Sequence, residues 1–348
     1  MHARPADLDT SNDVLTGGAL YCPTCGDGFS SLCAHCPEDG SPLVAWPITD
    51  DPLIGALLDG RFRILQLLAE GAMGRVYEGV QLPMKRPVAI KVMREEFSGD
   101  PTTTQRCLRE AQLLTRIAHP NIVDVFDYGE TDEGCFYLVM ELLRGNTLDA
   151  ILLDAGTFSV RRTCEVGLQI ADALVAAHAQ GVVHRDLKPA NIILLAALGD
   201  WVKVFDFGLA KALRNDPASE LTNVGAVLGT PLYMAPEAIR WNATDPRSDL
   251  YALGCILHEL LTGSPPFEGA SSNLVLVRQL NDPPPDLPET VPAPLRELVH
   301  RLLAKNPEDR PASALEVRAH LEARLAGELG SDEVLTLTHA ALPTVIKA

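Results

Sequence analysis

Hydrophobic positions recur along this chain with two periods, and the change from one to the other divides it. Between Arg61 and Leu142 the segments RFRILQLL, GRVYEGV, RPVAIKVM and CFYLVMEL alternate or run apolar over strand lengths, which predicts a small β-rich region. One stretch interrupts them: Thr103 to Ile117 spaces its apolar residues as a helix does, placing Glu110 on one helix with Leu113, Leu114 and Ile117. After Thr147 the pattern turns mostly helical, most clearly over Glu165 to His178 and Ser248 to Leu261, with a last helix from Ala312 to about Leu325. The proline run from Pro283 to Pro294 predicts a loop, because successive prolines lack ladder donors and break helices.

Both ends of the chain lack a period. Residues 1–20 are expected to be a flexible arm and residues 324–348 a disordered tail. Residues 21–43 are too few to bury a core and need a staple, and residues 44–58, with Pro and Asp, are expected to be a linker. No internal repeat stands out.

Composition narrows the function. At 348 residues, 47% apolar and 22% charged, the chain is globular, and 29 Lys plus Arg against 46 Asp plus Glu leave a net charge of −17. That balance argues against a surface built to coat nucleic acid or an anionic membrane. No run approaches the ~18 apolar residues of a membrane span, and the first residues lack a basic segment followed by an apolar one, so a soluble cytoplasmic protein is expected. Four of the eight cysteines crowd into two CxxC pairs, Cys22 with Cys25 and Cys33 with Cys36, separated by seven residues. In a reducing compartment this points to metal before disulfides. Four thiolates suit a closed, structural Zn²⁺ site, with CPTCG resembling a zinc-ribbon knuckle. The pattern CPxDG can also be read from Cys36 to Gly40, which leaves His35 and Asp39 competing with Cys33 for the fourth position.

Candidate catalytic chemistry begins at AEGAMGRV, where Gly71 and Gly74 would let backbone approach a polyphosphate. Alone, such a turn is common between strands. It is followed in order by VAIK (Val88 to Lys91), HRDLKPAN (His184 to Asn191), DFG (Asp206 to Gly208) and APE (Ala235 to Glu237).

With these four motifs the chain resembles the eukaryotic-type (Hanks-type) protein kinases, most closely their bacterial serine/threonine members, over residues 59–323. The resemblance implies an α+β, bilobed protein kinase fold, a β-rich N-lobe and a helical C-lobe, preceded here by the small zinc-ribbon-like module. It also implies ATP with Mg²⁺ or Mn²⁺, protein substrates phosphorylated on Ser or Thr, and signal transduction. Lys91 matches the lysine that holds the α- and β-phosphates, and Glu110 the glutamate that fixes it. Asp186 matches the catalytic aspartate, Lys188 the lysine on the transferring phosphate, and Asn191 and Asp206 the Mg²⁺ ligands. Met140 and Glu141 match the gatekeeper and hinge, with Glu141 carbonyl and Leu142 amide facing adenine; Val76 and Ala89 cover the base or simply fill the sheet core.

Ala69 departs from the family's GxGxxG and is expected at most to slow nucleotide handling. The AALGDW stretch makes the connection between Asn191 and Asp206 slightly long. No catalytic position is replaced, which counts against the rival reading of a nucleotide-holding pseudokinase scaffold. Arg185, with Lys211, is expected to receive an activation-loop phosphate on Thr222 or, second, Ser219. Thr230 would bridge Asp186 and Lys188, Asp249 would brace the catalytic loop, and Arg310 would pair with Glu237. Family members often activate as homodimers. Chelation is expected to disorder the cysteine module while leaving catalysis largely intact.

Overall fold

The computed structural model describes residues 20–29, 33–47, 49–71, 73–94, 101–207, 231–241 and 244–327. The arm through residue 19, the tail from residue 328, and Gly208, Lys211, Ser219, Thr222 and Thr230 lie outside them. The chain divides into two compact units, one reaching residue 98 and including Tyr128–Leu142, the other holding the rest.

In the first unit, three two-residue strands, β1 (Leu20–Tyr21), β2 (Gly28–Phe29) and β3 (Val44–Ala45), form an antiparallel sheet in the order β2-β1-β3. A six-stranded sheet follows, ordered β4-β5-β6-β7-β9-β8. Its strands are β4 (Leu57–Leu58), β5 (Phe62–Glu70), β6 (Gly74–Gln81), β7 (Arg86–Met93), β8 (Val125–Glu130) and β9 (Phe136–Glu141). β7 and β9 are buried at nearly every position, as expected of central strands whose sequences run apolar instead of alternating.

The segment expected as a linker is strand at both ends, since β3 pairs with β1 and β4 with β5. Tyr21 of the cysteine module shares one buried cluster with Leu65 and Val80 of the large sheet, and Trp46 and Leu82 pack around it. A module too small for its own core has borrowed the sheet's.

The second unit opens with α1 (Pro101–Leu114), three residues short of the end set by the apolar spacing. α2 (Leu148–Ala155) and α3 (Val160–Ala179) follow, then the antiparallel sheet of β10 (Asn146–Thr147), β11 (Ile192–Leu195) and β12 (Trp201–Val204). The remaining helices are α4 (Pro236–Trp241), α5 (Pro246–Thr262), α6 (Ser272–Asn281), α7 (Ala293–Leu302) and α8 (Ala314–Ala326). Local chemistry sets their starts: Ser159 accepts from the Arg162 amide at α3, and Asp245 accepts from the Arg247 and Ser248 amides in a capping box that precedes Pro246. The predicted proline loop ends early, because α7 takes Pro294 into its first turn, where a missing N–H costs nothing. α3 packs against α5 and α8 and so forms the centre of this unit.

Candidate active site and candidate metal centre

The sheet unit carries the residues matched to nucleotide binding. Strand register sets Val76 opposite Lys91, Ala89 opposite Met140 and Val88 opposite Glu141, and Leu142 follows directly. Lys91, Ala89 and Met140 are buried. The glycine-rich turn is closed by the Gly71 amide donating to Gly74 carbonyl at 2.9 Å. Gly74 is there for steric reasons, since a Cβ would fall 2.2 Å from the Val92 carbonyl oxygen. Ala69 lies within β5 opposite Val76, is exposed, and is not among the residues of positive φ. Its methyl group therefore introduces no backbone strain into the turn.

The helical unit carries the residues matched to phosphoryl transfer. Lys188 Nζ lies 2.7 Å from Asp186 Oδ2, and Asn191 Nδ2 donates to the Asp186 carbonyl at 2.7 Å and to its carboxylate at 3.3 Å. With its amide nitrogen spent on Asp186, Asn191 has its side-chain oxygen left for a hard cation. Two residues here have left-handed backbones, Arg185 (φ +67°) and Asp206 (φ +64°), each costing about 1–3 kcal/mol that the surroundings must offset.

Asp249, on α5 and almost fully buried, provides that support at Arg185: its carboxylate accepts from the His184 amide at 2.8 Å, the Arg185 amide at 2.9 Å and His178 Nε2 at 2.8 Å. His184 holds the other side of the loop. Its Nδ1 accepts from the Asp186 amide at 3.3 Å while Nε2 donates to the Phe205 carbonyl at 2.9 Å. Complete burial pushes its pKa down despite the nearby carboxylates, so the ring is a neutral scaffold. Glu110, on α1, is 3.5 Å from Arg185 Nη1.

A second buried framework secures the APE segment. Arg310 donates to both Glu237 oxygens at 2.8 Å, and Ser248 Oγ donates to Glu237 at 2.7 Å. Burial raises the Glu237 carboxyl, but Arg310 and Ser248 outweigh it and hold the pKa below the ordinary value.

In the cysteine module the structure brings together Asp39, one of the two alternatives to Cys33, with the other three cysteines. Cys22, Cys25, Cys36 and Asp39 offer ligand atoms that all lie within 4.8 Å of one another, whereas Cys33 is exposed and outside the group. The reason is a repeated turn. The Gly26 amide donates to Cys22 carbonyl at 2.8 Å and the Cys22 amide to Asp27 carbonyl at 3.0 Å; the Gly40 amide donates to Cys36 carbonyl at 2.9 Å and the Cys36 amide to Ser41 carbonyl at 2.8 Å. Gly26 and Gly40 share a φ of +75°. CPTCG and CPEDG are thus the same knuckle, and Asp39 stands where Cys25 stands. Cys33 precedes the second turn and has no counterpart in the first.

The distances fit a metal. A tetrahedral Zn²⁺, with bonds of about 2.3 Å to sulfur and 2.1 Å to oxygen, sets sulfurs about 3.8 Å apart and sulfur about 3.6 Å from oxygen. Cys25 Sγ and Cys36 Sγ are 3.7 Å apart, and Cys22 Sγ lies 3.3 and 3.5 Å from the two Asp39 oxygens. The Thr24 and Cys25 amides both point at Cys22 Sγ from 3.4 Å, an arrangement suited to a thiolate. Ser41 holds the Asp39 carboxyl down to about 2, while burial pushes the Cys25 thiol up. A metal bound here would displace a proton from Cys25.

Comparison with known proteins gives the family. The Protein kinase domain family matches residues 62–321. The serine/threonine-protein kinase PknA of Mycobacterium tuberculosis is 42% identical over 263 residues, covering 74% of this chain and 60% of PknA. The serine/threonine-protein kinase pkn3 of Myxococcus xanthus is 40% identical over 285 residues, 80% of this chain and 52% of pkn3. PknH of Mycobacterium bovis is 40% identical over 275 residues, 78% of this chain and 45% of PknH. The chain thus spans between about half and three-fifths of these relatives' lengths. Among the described residues no helix is long and apolar enough to cross a membrane. With the family's motifs folded into the family's elements, the chain belongs to the protein kinase domain family and is similar within it to the bacterial serine/threonine kinases.

Proposed function

We propose that this chain is a serine/threonine protein kinase, transferring the γ-phosphate of ATP to protein hydroxyls. The observation that carries this reading is the Asp186 carboxylate held at once by Lys188 and Asn191. Phosphoryl transfer needs positioning and charge more than covalent help. Asp186 orients the substrate hydroxyl and accepts its proton; Lys188, at 2.7 Å, fixes that carboxylate and brings positive charge to the transferring group. Lys91 holds the α- and β-phosphates, with Glu110 as the partner the kinase resemblance gives it. The backbone around Gly71 and Gly74 covers the phosphates, Met140, Glu141 and Leu142 border adenine, and Val76 and Ala89 its faces. Asn191 and Asp206 would hold Mg²⁺ or Mn²⁺, and a bound divalent ion supplies neutralisation of phosphate charge.

The reading extends to a cytoplasmic signalling kinase that phosphorylates its own activation loop, at Thr222 or Ser219, within a homodimer. In addition, one Zn²⁺ would sit in the N-terminal module as a structural ion, with Cys22, Cys25, Cys36 and Asp39 as ligands. Thiolates reserved for a metal, with Cys164 and Cys255 buried and not disulfide-bonded, suit a reducing compartment.

Incubating the chain with γ-labelled ATP and Mg²⁺ tests the enzyme directly. Label should appear on Ser and Thr of the chain and of added protein, and Asp186→Asn should reduce it by about 10²-fold or more. Equal labelling by the variant, or label confined to tyrosine, would sink the reading.

A further inference from the structure

The glycine-rich turn and the metal module are distant in sequence, yet a line of contacts joins them. Tyr21, the residue before Cys22, stacks on Trp46 with ring centroids 4.4 Å apart, and the pair rests on Leu65 of β5 and on Val80 and Leu82. Gly26 lies so close to β5 that a Cβ there would meet the Arg63 side chain at 3.3 Å. Asp39, the outermost ligand, is 3.9 Å from Lys85 Nζ in the turn between β6 and β7. The two knuckles therefore sit on the base of the β5–β6 hairpin, the end opposite the glycine turn.

From Trp46 the chain runs on to Asp51, whose side chain is only 9% exposed. Asp51 Oδ2 accepts from Tyr77 Oη at 2.8 Å and from Arg75 Nη1 at 3.3 Å, and Oδ1 accepts from the Leu53 amide at 3.0 Å. Arg75 Nε reaches Glu70 Oε1 at 3.4 Å, and Arg94 Nη2 joins the same Glu70 oxygen at 3.3 Å to the Gly71 carbonyl at 3.2 Å. Glu70 and Arg75 are the two stems of the turn. Asp51 thus acts on it through Arg75, as a positioning residue.

We propose that a metal ion held by Cys22, Cys25, Cys36 and Asp39 locks a brace whose far end, Asp51, positions the glycine-rich turn, so that ATP handling depends on a metal outside the active site. The physical reason is size: the module's own buried cluster consists of three cysteines with Phe29 and Leu43 against them, so metal binding supplies most of its folding free energy. Without the ion the knuckles open, Tyr21 and Trp46 lose their seat, and the chain leading to Asp51 is no longer anchored. This packing argues against a module that is independent of catalysis. The proposal rests on the kinase reading for its effect on ATP but not for its effect on the hairpin.

The test uses the full chain, zinc-loaded or stripped by a chelator under reducing conditions, beside zinc-loaded Asp51→Asn and Asp51→Glu. Amide exchange over residues 62–81 should rise about tenfold or more on stripping and in Asp51→Asn, while exchange over Val160–Ala179 stays within about twofold. KM for ATP should rise about tenfold in both with kcat within about threefold, and Asp51→Glu should recover most of the loss. Stripping Asp51→Asn should add little, because both changes cut one brace. Unchanged exchange over residues 62–81, exchange rising equally everywhere, or a fall in kcat at constant KM each overturns the proposal. If no form transfers phosphate, the kinase reading fails, and the exchange result alone decides the brace.

Discussion

The catalytic loop and the cysteine module are both held by buried polar side chains, but they are completed differently. Around the loop the two most buried carboxylates meet answering groups from the chain: Asp249 takes two backbone amides and a histidine, and Glu237 takes Arg310 and Ser248. In the module three cysteines and an aspartate face one another, a group that could hold a metal ion, and no basic side chain stands among these four to answer them. The first framework spans distant helices and sits within a large apolar core. The second spans two short turns and has little core of its own, sharing instead the cluster of Tyr21, Leu65 and Val80 with the sheet. A region that can bury enough apolar surface answers its own charges; one that cannot would need an ion to do so.

Removing an answering charge from the self-sufficient framework should do the most damage. Arg310→Met leaves Glu237 buried with only Ser248 for support, and breaking such a pair costs about 3–5 kcal/mol, which in a unit of this size lowers Tm by about 10 °C. The double variant Arg310→Met with Glu237→Met should recover most of that loss, because no lone charge remains. pH offers a second reading. Glu237 is held below its ordinary value, so the stability it contributes is present above pH ~4.5 and lost as pH falls through its lower folded value; in Arg310→Met that acid limb should flatten. A thermal melt of Arg310→Met within about 1 °C of wild type would mean the pair is not the anchor its geometry indicates.

In the second framework the contrast lies between two cysteines three residues apart. Cys36→Ser removes a ligand and should lower bound zinc from one equivalent to well under a half at micromolar metal, weakening affinity by about 10²-fold or more. Cys33→Ser should keep full stoichiometry, since Cys33 is exposed and outside the ligand group. Metal content by mass spectrometry of the intact chain, with a competing chelator, reads both variants. If Cys33→Ser releases the ion and Asp39→Asn does not, the ligand set is the original pair of CxxC motifs.

That contrast also shows where the sequence was legible. The candidate catalytic residues were legible as a family resemblance because phosphoryl transfer constrains residue type as well as spacing, so HRDLKPAN and DFG stand out. Elements with strong periods were placed to within about two residues in α5 and α8, while α3 begins five residues before the expected start. The fourth member of the candidate metal group was harder, because a second CxxC is a stronger pattern than the C-P-x-D-G beside it. The deciding signal was the repeat of the whole turn, with proline second and glycine fifth, which becomes visible once both turns are seen making the same two backbone hydrogen bonds. Asp51 carried no signal at all. Its proposed role depends on contacts more than twenty residues away in sequence, and the Asp50–Asp51 pair in a Pro-bearing segment reads as linker until the buried Tyr77 and Arg75 are found against Asp51.

The smallest effect is expected at the position where the sequence departs from the family's glycine pattern. A glycine is needed where backbone adopts positive φ or where a neighbour occupies the Cβ position. Gly74 meets the second condition, with the Val92 carbonyl in the way; Ala69 meets neither, lying in a β5 register opposite Val76 with its methyl exposed. Replacing Ala69 by Gly should therefore leave ATP KM and kcat within about twofold and cost roughly 0.5 kcal/mol through the freer unfolded chain. Gly74→Ala, by contrast, must push β6 away from β7 and should raise KM by an order of magnitude or more. Steady-state kinetics of the two variants side by side separates a turn shaped by its first position from one shaped by its last, and a large gain in ATP affinity on Ala69→Gly would show that the methyl obstructs the nucleotide after all.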